Sequence, residues 1–170
     1  MGRSPGSHIV SRSIRPTTSF LTMPVMVVGA DSDIGRRIID RFLDPRREVR
    51  AFVTDPGVAE DLKRAGAKVA LGDVSDDSHL AGACLNCFSA ILVADAASDS
   101  RLRSFASDRA AVLDSWAKAV GSAGIQRVIW VTESGEATPP CPVQEVTVVD
   151  RSDPDLVEEV FRLDAAASLE

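Results

Sequence analysis

The residues best suited to chemistry lie where a short apolar run ends in glycine. Residues 25–28 read Val-Met-Val-Val, which predicts a buried strand, and Gly29 follows directly. A helical pattern begins near Asp33, with apolar residues recurring at helical spacing from Ile34 onward. Glycine allows close backbone approach, and the free N–H groups of a helix's first turn attract anions. The stretch therefore predicts a phosphate-binding turn, made of Gly29, Ala30, Asp31, Ser32, Asp33, Ile34 and Gly35.

Ser32 interrupts the glycine pattern of this turn. Gly29 and Gly35 match the first and last glycines of a G-x-x-G-x-x-G spacing, and Ser32 stands in place of the middle one. We expect a side chain there to crowd the loop and weaken phosphate binding. The alternative interpretation is an ordinary strand–turn–helix junction that holds no ligand.

Strand and helix patterns alternate along the rest of the chain and would position this turn. Further strands are predicted at residues 50–54, 68–71, 89–93, 127–132 and 143–149, and helices at 58–65, 76–85, 99–123 and 153–166. Repeated strand–helix units with short loops indicate a parallel sheet covered on both faces. We therefore expect an α/β fold, a doubly wound Rossmann-type parallel sheet of about six strands with helices on both faces.

Composition narrows the class of protein and its partners. The chain has 170 residues, of which 45% are hydrophobic and 26% charged, as expected for one globular domain. No apolar run approaches the ~20 residues that span a bilayer, so no membrane partner is expected. The net charge of −6 argues against a nucleic-acid surface. Three cysteines, an odd number without a histidine cluster, favour a cytoplasmic protein with no metal site.

The two ends of the chain differ from its body. Residues 1–22 contain three arginines and no acidic residue, and we expect a flexible basic arm or a leader there, with a transit peptide as the alternative. Residues 23–168 are expected to form a single domain. Residues 169–170 resemble a cloning scar.

Five segments of the chain occur in a characteristic order, at residues 29–35, 51–56, 72–76, 79–91 and 124–132. By this order and spacing, residues 24–134 resemble the core of the atypical short-chain dehydrogenase/reductases, which are NmrA-like NAD(P)-binding Rossmann-fold proteins.

This resemblance implies a nicotinamide dinucleotide across the carboxyl ends of the strands. Carried over by position, residues 29–35 would hold the pyrophosphate. Asp73 and Val74 would meet the adenine, and Ala94 and Asp95 would lie near the ribose on the nicotinamide side.

The end of the second strand bears on the choice between NAD and NADP. NADP-preferring members of the family carry arginine there, whereas this chain has Thr54. Asp55 lies about twenty residues past Gly35, where a carboxylate can accept a hydrogen bond from the ribose 2′-hydroxyl. We therefore favour NAD. Asp55 could equally be a turn residue, and if NADP binds instead, Arg36 or Arg50 would be the expected phosphate partner.

The catalytic residues of the family are absent from the sequence. Its dehydrogenases use a Ser or Thr after the fifth strand, followed by a Tyr and a Lys four residues on, in the next helix. This chain has no tyrosine and no lysine after Lys118, and three prolines within residues 133–142 exclude that helix. Thr132 and Ser134 remain as catalytic candidates. Loss of the helix also predicts an uncovered sheet face near Trp130, and therefore a homodimer.

Three functions remain open from the sequence. We favour a dinucleotide-binding sensor or regulatory protein, because the missing segment normally builds the substrate pocket. The alternative is a small NAD(P)H-dependent reductase of the flavin/biliverdin reductase type, which passes hydride directly to its substrate. The third is a structural or assembly module that binds no dinucleotide.

Overall fold

The computed structural model describes residues 23–98 and 101–167, so the expectations for residues 1–22 and 169–170 lie outside it. Its strands are β1 (Val25–Val28), β2 (Val49–Val53), β3 (Lys68–Leu71), β4 (Ser89–Val93), β5 (Arg127–Thr132) and β6 (Glu145–Asp150). Its helices are α1 (Asp33–Phe42), α2 (Pro56–Ala65), α3 (Asp77–Ala83), α4 (Arg109–Ser122) and α5 (Leu156–Ala165), with a 3₁₀ turn at Ala94–Ala97.

The six strands form one parallel sheet in the order β3-β2-β1-β4-β5-β6. Val28, at the end of β1, lies between Phe52 of β2 and Leu92 of β4. The chain's progression across the sheet reverses between β1 and β4, where open α/β sheets leave a crevice at the carboxyl ends of the strands. The predicted doubly wound parallel sheet is confirmed.

Two apolar layers cover the sheet, as its side-chain alternation requires. Val25 and Val27 face one side, where they pack with α1, α2 and α5. Met26 and Val28 face the other side, against α3 and α4. The buried face of α1 is the one that the helical spacing predicted, namely Ile34, Ile38, Ile39 and Phe42.

Helix α4 begins at Arg109, so the prediction of a helix over residues 99–123 is wrong before that point. Asp108 caps α4 by accepting a hydrogen bond from the Ala111 N–H at 2.8 Å. Leu102 and Phe105, which fall within that predicted helix, lie instead in the loop before α4 and are 60% and 72% exposed. Residues 99–100 lie outside the described part of the chain.

The connection between β5 and β6 contains no helix, as the prolines predicted. Residues 133–144 run as irregular backbone, and Pro142 lies so close to Gly121 of α4 that a side chain at Gly121 would overlap it. Trp130 beneath this segment is fully buried and stacks on Trp116, with ring centroids 6.4 Å apart. The expectation of an uncovered face is therefore wrong at Trp130 itself, which the proline segment covers. It holds for the next strand, where Val146 and Val148 lie in register with Val128 and Trp130 and are exposed.

Helix α5 folds back onto the sheet through a buried polar contact. The Asp164 carboxylate accepts hydrogen bonds from Arg47 at 2.6 Å and from the Ser89 hydroxyl. The Arg47 and Asp164 side chains are 3% and 1% exposed. On the outer side, the Arg41 guanidinium lies over the Phe161 ring at 3.5 Å. These contacts fix the last helix against the amino ends of the strands.

The outer strand β6 keeps an apolar surface exposed. Val146 and Val148 are 45% and 52% exposed, whereas Val149 on its other face is buried. None of the helices in the described ranges is both long enough and apolar enough to span a membrane.

Candidate functional site

Two glycines shape the turn between β1 and α1. Gly29 has a φ of +81°, and a Cβ there would lie 2.6 Å from the Cβ of Ala96. A Cβ at Gly35 would overlap the Gly29 carbonyl oxygen, so glycine is what lets the helix pack against its own turn. The turn therefore places the N-terminal end of α1 at the crevice of the sheet.

Ser32 is the N-cap of α1. Its hydroxyl accepts from the Gly35 N–H at 3.0 Å and donates to the Gly29 carbonyl at 2.7 Å. The side chain is buried within the turn, so it occupies one of the helix's N–H donors instead of crowding the space above the loop. Asp33 is exposed in the first turn of the helix and brings its charge next to the positive end of the helix dipole.

Asp31 ties the glycine turn to the end of β2. One oxygen of its carboxylate accepts hydrogen bonds from the N–H and hydroxyl of Thr54, at 2.9 and 3.0 Å, and from the Asp55 N–H at 3.2 Å. Its other oxygen lies 2.5 Å from the Arg101 guanidinium, and its side chain is 1% exposed. The sequence placed Asp31 in the turn but gave no sign of these long-range partners.

Asp55 caps α2, as the turn-residue interpretation predicted. Its carboxylate accepts from the N–H groups of Gly57 and Val58, at 2.7 and 3.2 Å, and Pro56 opens the helix. A cleft of about 510 Å³ lies beside it, lined by Asp31, Thr54, Asp55, Pro56, Arg101 and Leu102.

Arg101 is the basic residue of this lining, and sequence reasoning missed it. Arg36 pairs with Asp40 along the exposed side of α1. Arg50 bonds Glu48 and the Ala83 carbonyl, at the opposite end of β2 from Thr54. Neither arginine that the sequence suggested reaches the cleft.

Asp73 and Val74 follow β3 and are buried. Asp73 accepts from the Ser75 N–H and hydroxyl at 2.8 and 2.6 Å and from the Ser104 N–H at 2.6 Å. Burial opposes ionisation of this carboxyl, but these hydrogen bonds together hold its pKa below the usual value. The Val74 N–H donates to the Leu102 carbonyl at 3.1 Å. Both residues are thus already bonded to the loop before α4.

A charged cleft of about 400 Å³ lies at the ends of β4, β5 and β6. Asp95 pairs with Arg151 at 2.8 Å. Arg109 pairs with Glu136 at 2.8 Å and donates to the Ala94 carbonyl at 2.6 Å. The hydrogen bond from Arg109 lowers the pKa of Glu136 and raises that of the guanidinium. The residues lining this cleft are Asp95, Arg109, Glu133, Glu136 and Arg151.

The two catalytic candidates lie next to this cleft but are not among its described lining residues. Thr132 is buried and donates its hydroxyl to the Glu133 carbonyl at 3.2 Å. Ser134 is exposed in the turn that follows and lies within hydrogen-bonding reach of Asp150. Lys118 pairs with Asp77 of α3 and is no substitute for the missing catalytic lysine.

Two of the three cysteines, Cys84 and Cys87, are buried, and Cys141 is half-buried. All three are free thiols. Burial raises the pKa of Cys84 to about 12 and that of Cys87 to about 11, so both stay protonated at neutral pH. No group of three or more His, Cys, Asp and Glu side chains among the described residues could hold a metal ion.

A parallel sheet whose strand order reverses at a glycine turn, with a helix N-terminus at that point, defines a Rossmann-type dinucleotide-binding domain. Residues 29–161 match the family model described as NAD(P)H-binding, and the chain belongs to that family. The resemblance read from the five sequence segments is confirmed.

Solved structures share the fold. An anaerobillin reductase from Escherichia coli O157:H7 aligns with 25% identity and a TM-score of 0.52, over 67% of this chain and 52% of its own. A Citrobacter sp. triphenylmethane reductase complexed with NADP(H) aligns with 18% identity and a TM-score of 0.53, over 66% and 38%. An NADPH-dependent quinone oxidoreductase from Escherichia coli, complexed with NADPH, aligns with 22% identity and a TM-score of 0.52. The alignment covers 64% of this chain and 36% of the oxidoreductase. The chain therefore spans about half or less of these proteins. No curated protein matches the sequence.

Proposed function

We propose that this protein is a dinucleotide-binding sensor or regulatory protein that carries out no Tyr–Lys dehydrogenase chemistry. One observation carries the proposal: the ionisable groups of the charged cleft are paired with one another. Arg109 with Glu136 and Arg151 with Asp95 form ion pairs where a nicotinamide would lie. A general acid must be free to exchange a proton with a substrate, and the sequence contains no tyrosine to do so.

The dinucleotide would lie along the crevice at the carboxyl ends of the strands. Residues 29–35 would hold the pyrophosphate, Asp73 and Val74 the adenine, and Ala94 and Asp95 the nicotinamide ribose. The positions of these residues at the ends of β1, β3 and β4 support this assignment, because a ligand at the strand-order reversal passes all three.

We further propose that the protein prefers NAD(H) to NADP(H). Two carboxylates, Asp31 and Asp55, lie at the end of β2, and the guanidinium of Arg101 is already paired with the first of them. A 2′-phosphate would bring two further negative charges to this cleft. Calorimetric titration with NADH and NADPH tests the preference. Tenfold tighter binding of NADPH, or about 1.4 kcal/mol, would overturn it.

A reductase that passes hydride directly to its substrate is the second candidate. The similarity to an anaerobillin reductase, at 25% identity, supports it. Such a mechanism needs the nicotinamide and the acceptor in contact, but no tyrosine. In it the charged cleft would bind the acceptor instead of a regulatory partner.

Fluorescence titration with NADH, with and without a flavin acceptor, separates the candidates. We expect saturable binding and no oxidation of NADH. Steady oxidation that depends on the flavin would favour the reductase. The Ser134→Ala variant is the control. If NADH is oxidised by direct hydride transfer, this variant should oxidise it at the wild-type rate, because that mechanism does not use the Ser134 hydroxyl. No binding at millimolar NADH would contradict both candidates and leave the structural or assembly module.

We propose a cytoplasmic location and a homodimeric state as well. Three free cysteines suit a reducing compartment. For the homodimer, we propose β6 as the contact surface, since α4 and α5 pack within their own chain. Val146 and Val148 on this open edge strand are the surface that we propose for pairing.

A further inference from the structure

We propose that residues 101–105, here called the strap, fill the adenine subsite of the free protein and must leave before a dinucleotide binds. The inference rests on the proposed function, because it needs adenine to bind at Asp73 and Val74. The new element is that the strap, a segment of the chain itself, competes with adenine for that subsite.

The strap offers the hydrogen-bonding groups that an adenine edge would offer. An adenine presents an amino donor next to a ring-nitrogen acceptor. The strap presents the Ser104 N–H, which donates to Asp73 at 2.6 Å, and the Leu102 carbonyl, which accepts from the Val74 N–H at 3.1 Å. A third bond runs from the Phe105 N–H to the Ser75 hydroxyl at 2.9 Å. The carboxylate and the N–H that would recognise adenine are therefore already bonded.

An ion pair closes the strap at its other end. The Arg101 guanidinium lies 2.5 Å from the buried Asp31 carboxylate and 3.4 Å from the Thr54 hydroxyl. The strap thus reaches across the cleft from the end of β3 to the glycine turn. An adenosine that entered this cleft would meet Arg101 before it met Asp31.

The strap is held by polar contacts and not by apolar burial. Leu102 and Phe105, its two large apolar side chains, point away from the core and are 60% and 72% exposed. Release of the strap therefore exposes little further apolar surface, and a ligand that supplies equivalent hydrogen bonds can replace it. The observed affinity is the intrinsic affinity reduced by the fraction of molecules with the strap open.

Two half-dinucleotides test the proposal by calorimetry. ADP-ribose carries the adenine and competes with the strap, whereas nicotinamide mononucleotide does not reach it. We expect Arg101→Ala to bind ADP-ribose about tenfold more tightly than the wild type, because it removes a charge-assisted contact of the closed state. Affinity for nicotinamide mononucleotide should stay unchanged. Arg162→Ala, which removes an exposed arginine of α5 paired with Glu159, is the matched control and should leave both affinities unchanged.

Limited proteolysis gives a second measurement on the unmodified protein. Trypsin cleaves after Arg101 and Arg103, and we expect ADP-ribose to accelerate cleavage there while nicotinamide mononucleotide does not. Protection of these sites by ADP-ribose, or wild-type affinity of a folded Arg101→Ala variant for ADP-ribose, would contradict the proposal that the strap fills the adenine subsite. Neither result would contradict the proposed function. If neither the wild type nor Arg101→Ala binds ADP-ribose or NADH, the proposed function fails and the strap fails with it.

Discussion

Two aspartates of one turn have opposite surroundings, and they set what the glycine turn can bind. Asp31 is buried and has Thr54, Asp55 and Arg101 as partners, so it organises the protein itself. Asp33 is exposed in the first turn of α1, so its negative charge already interacts with the positive end of the helix dipole, where a pyrophosphate would bind. The turn is therefore well formed as backbone but has unfavourable charge for an anion.

The Asp33→Asn variant should bind NADH more tightly than the wild type. Removing a charge beside a helix N-terminus changes the interaction with an anion there by about 0.3–1 kcal/mol, which is roughly a twofold to fivefold gain in affinity. Fluorescence titration at low ionic strength measures it. Asp61→Asn, which removes an equal charge from the exposed side of α2, is the control. Unchanged or weaker binding by Asp33→Asn would mean that no phosphate lies at this helix end.

At the scale of elements, α1 and α3 show what a helical glycine does in two different settings. Gly35 is buried against the turn that precedes its helix, and an added Cβ would overlap the Gly29 carbonyl. Gly82, within α3, has open space where a Cβ would lie. The same substitution should therefore have opposite effects in the two helices.

Gly35→Ala should lower the free energy of unfolding by about 2 kcal/mol or more, because the turn and helix must separate to admit the methyl group. Gly82→Ala should raise it by about 0.5–1 kcal/mol through the higher helix propensity of alanine. Urea denaturation followed by circular dichroism measures both. Equal stability of Gly35→Ala and the wild type would contradict the close packing at this turn.

The sequence predicted the strands and most helices, because their signals are local. The apolar run at Val25–Val28 and the proline-rich residues 133–142 are examples. It failed over residues 101–108, where Leu102 and Phe105 have helical spacing but are exposed. The cap at Asp108 and the bonds to Asp73 outweigh that pattern. Arg101 could not have been found, because its role depends on the position of Asp31 about seventy residues earlier in the chain.

At the scale of the whole molecule, β6 is the open side of the sheet. Both edge strands pack beside a helix, β3 beside α2 and β6 beside α5, but β6 leaves two apolar side chains, Val146 and Val148, exposed on the face that lacks the usual crossover helix. An exposed edge strand with apolar side chains is a template for pairing with another strand. A second copy of the chain can pair with it about a two-fold axis.

Light scattering at micromolar concentration should therefore give a dimer. We expect the double variant Val146→Lys, Val148→Lys to be monomeric, because two charges on the edge strand oppose its pairing. Leu85→Lys is the control, since Leu85 is 52% exposed, like Val148, but lies beyond the end of α3. A wild-type protein that elutes and scatters as a monomer would contradict the homodimer.

The contact between α5 and the amino ends of the strands has a consequence for synthesis on the ribosome. Arg47 is made early and lies buried against Asp164, which leaves the exit tunnel only after all six strands. Until then the Arg47 guanidinium has no carboxylate to neutralise it, and burying an unpaired charge is strongly unfavourable. The nascent chain can pair its strands, but it cannot bury Arg47 at the amino ends of the strands before α5 is made. We therefore expect folding of this domain to be completed after translation of α5, and not strand by strand as the chain emerges.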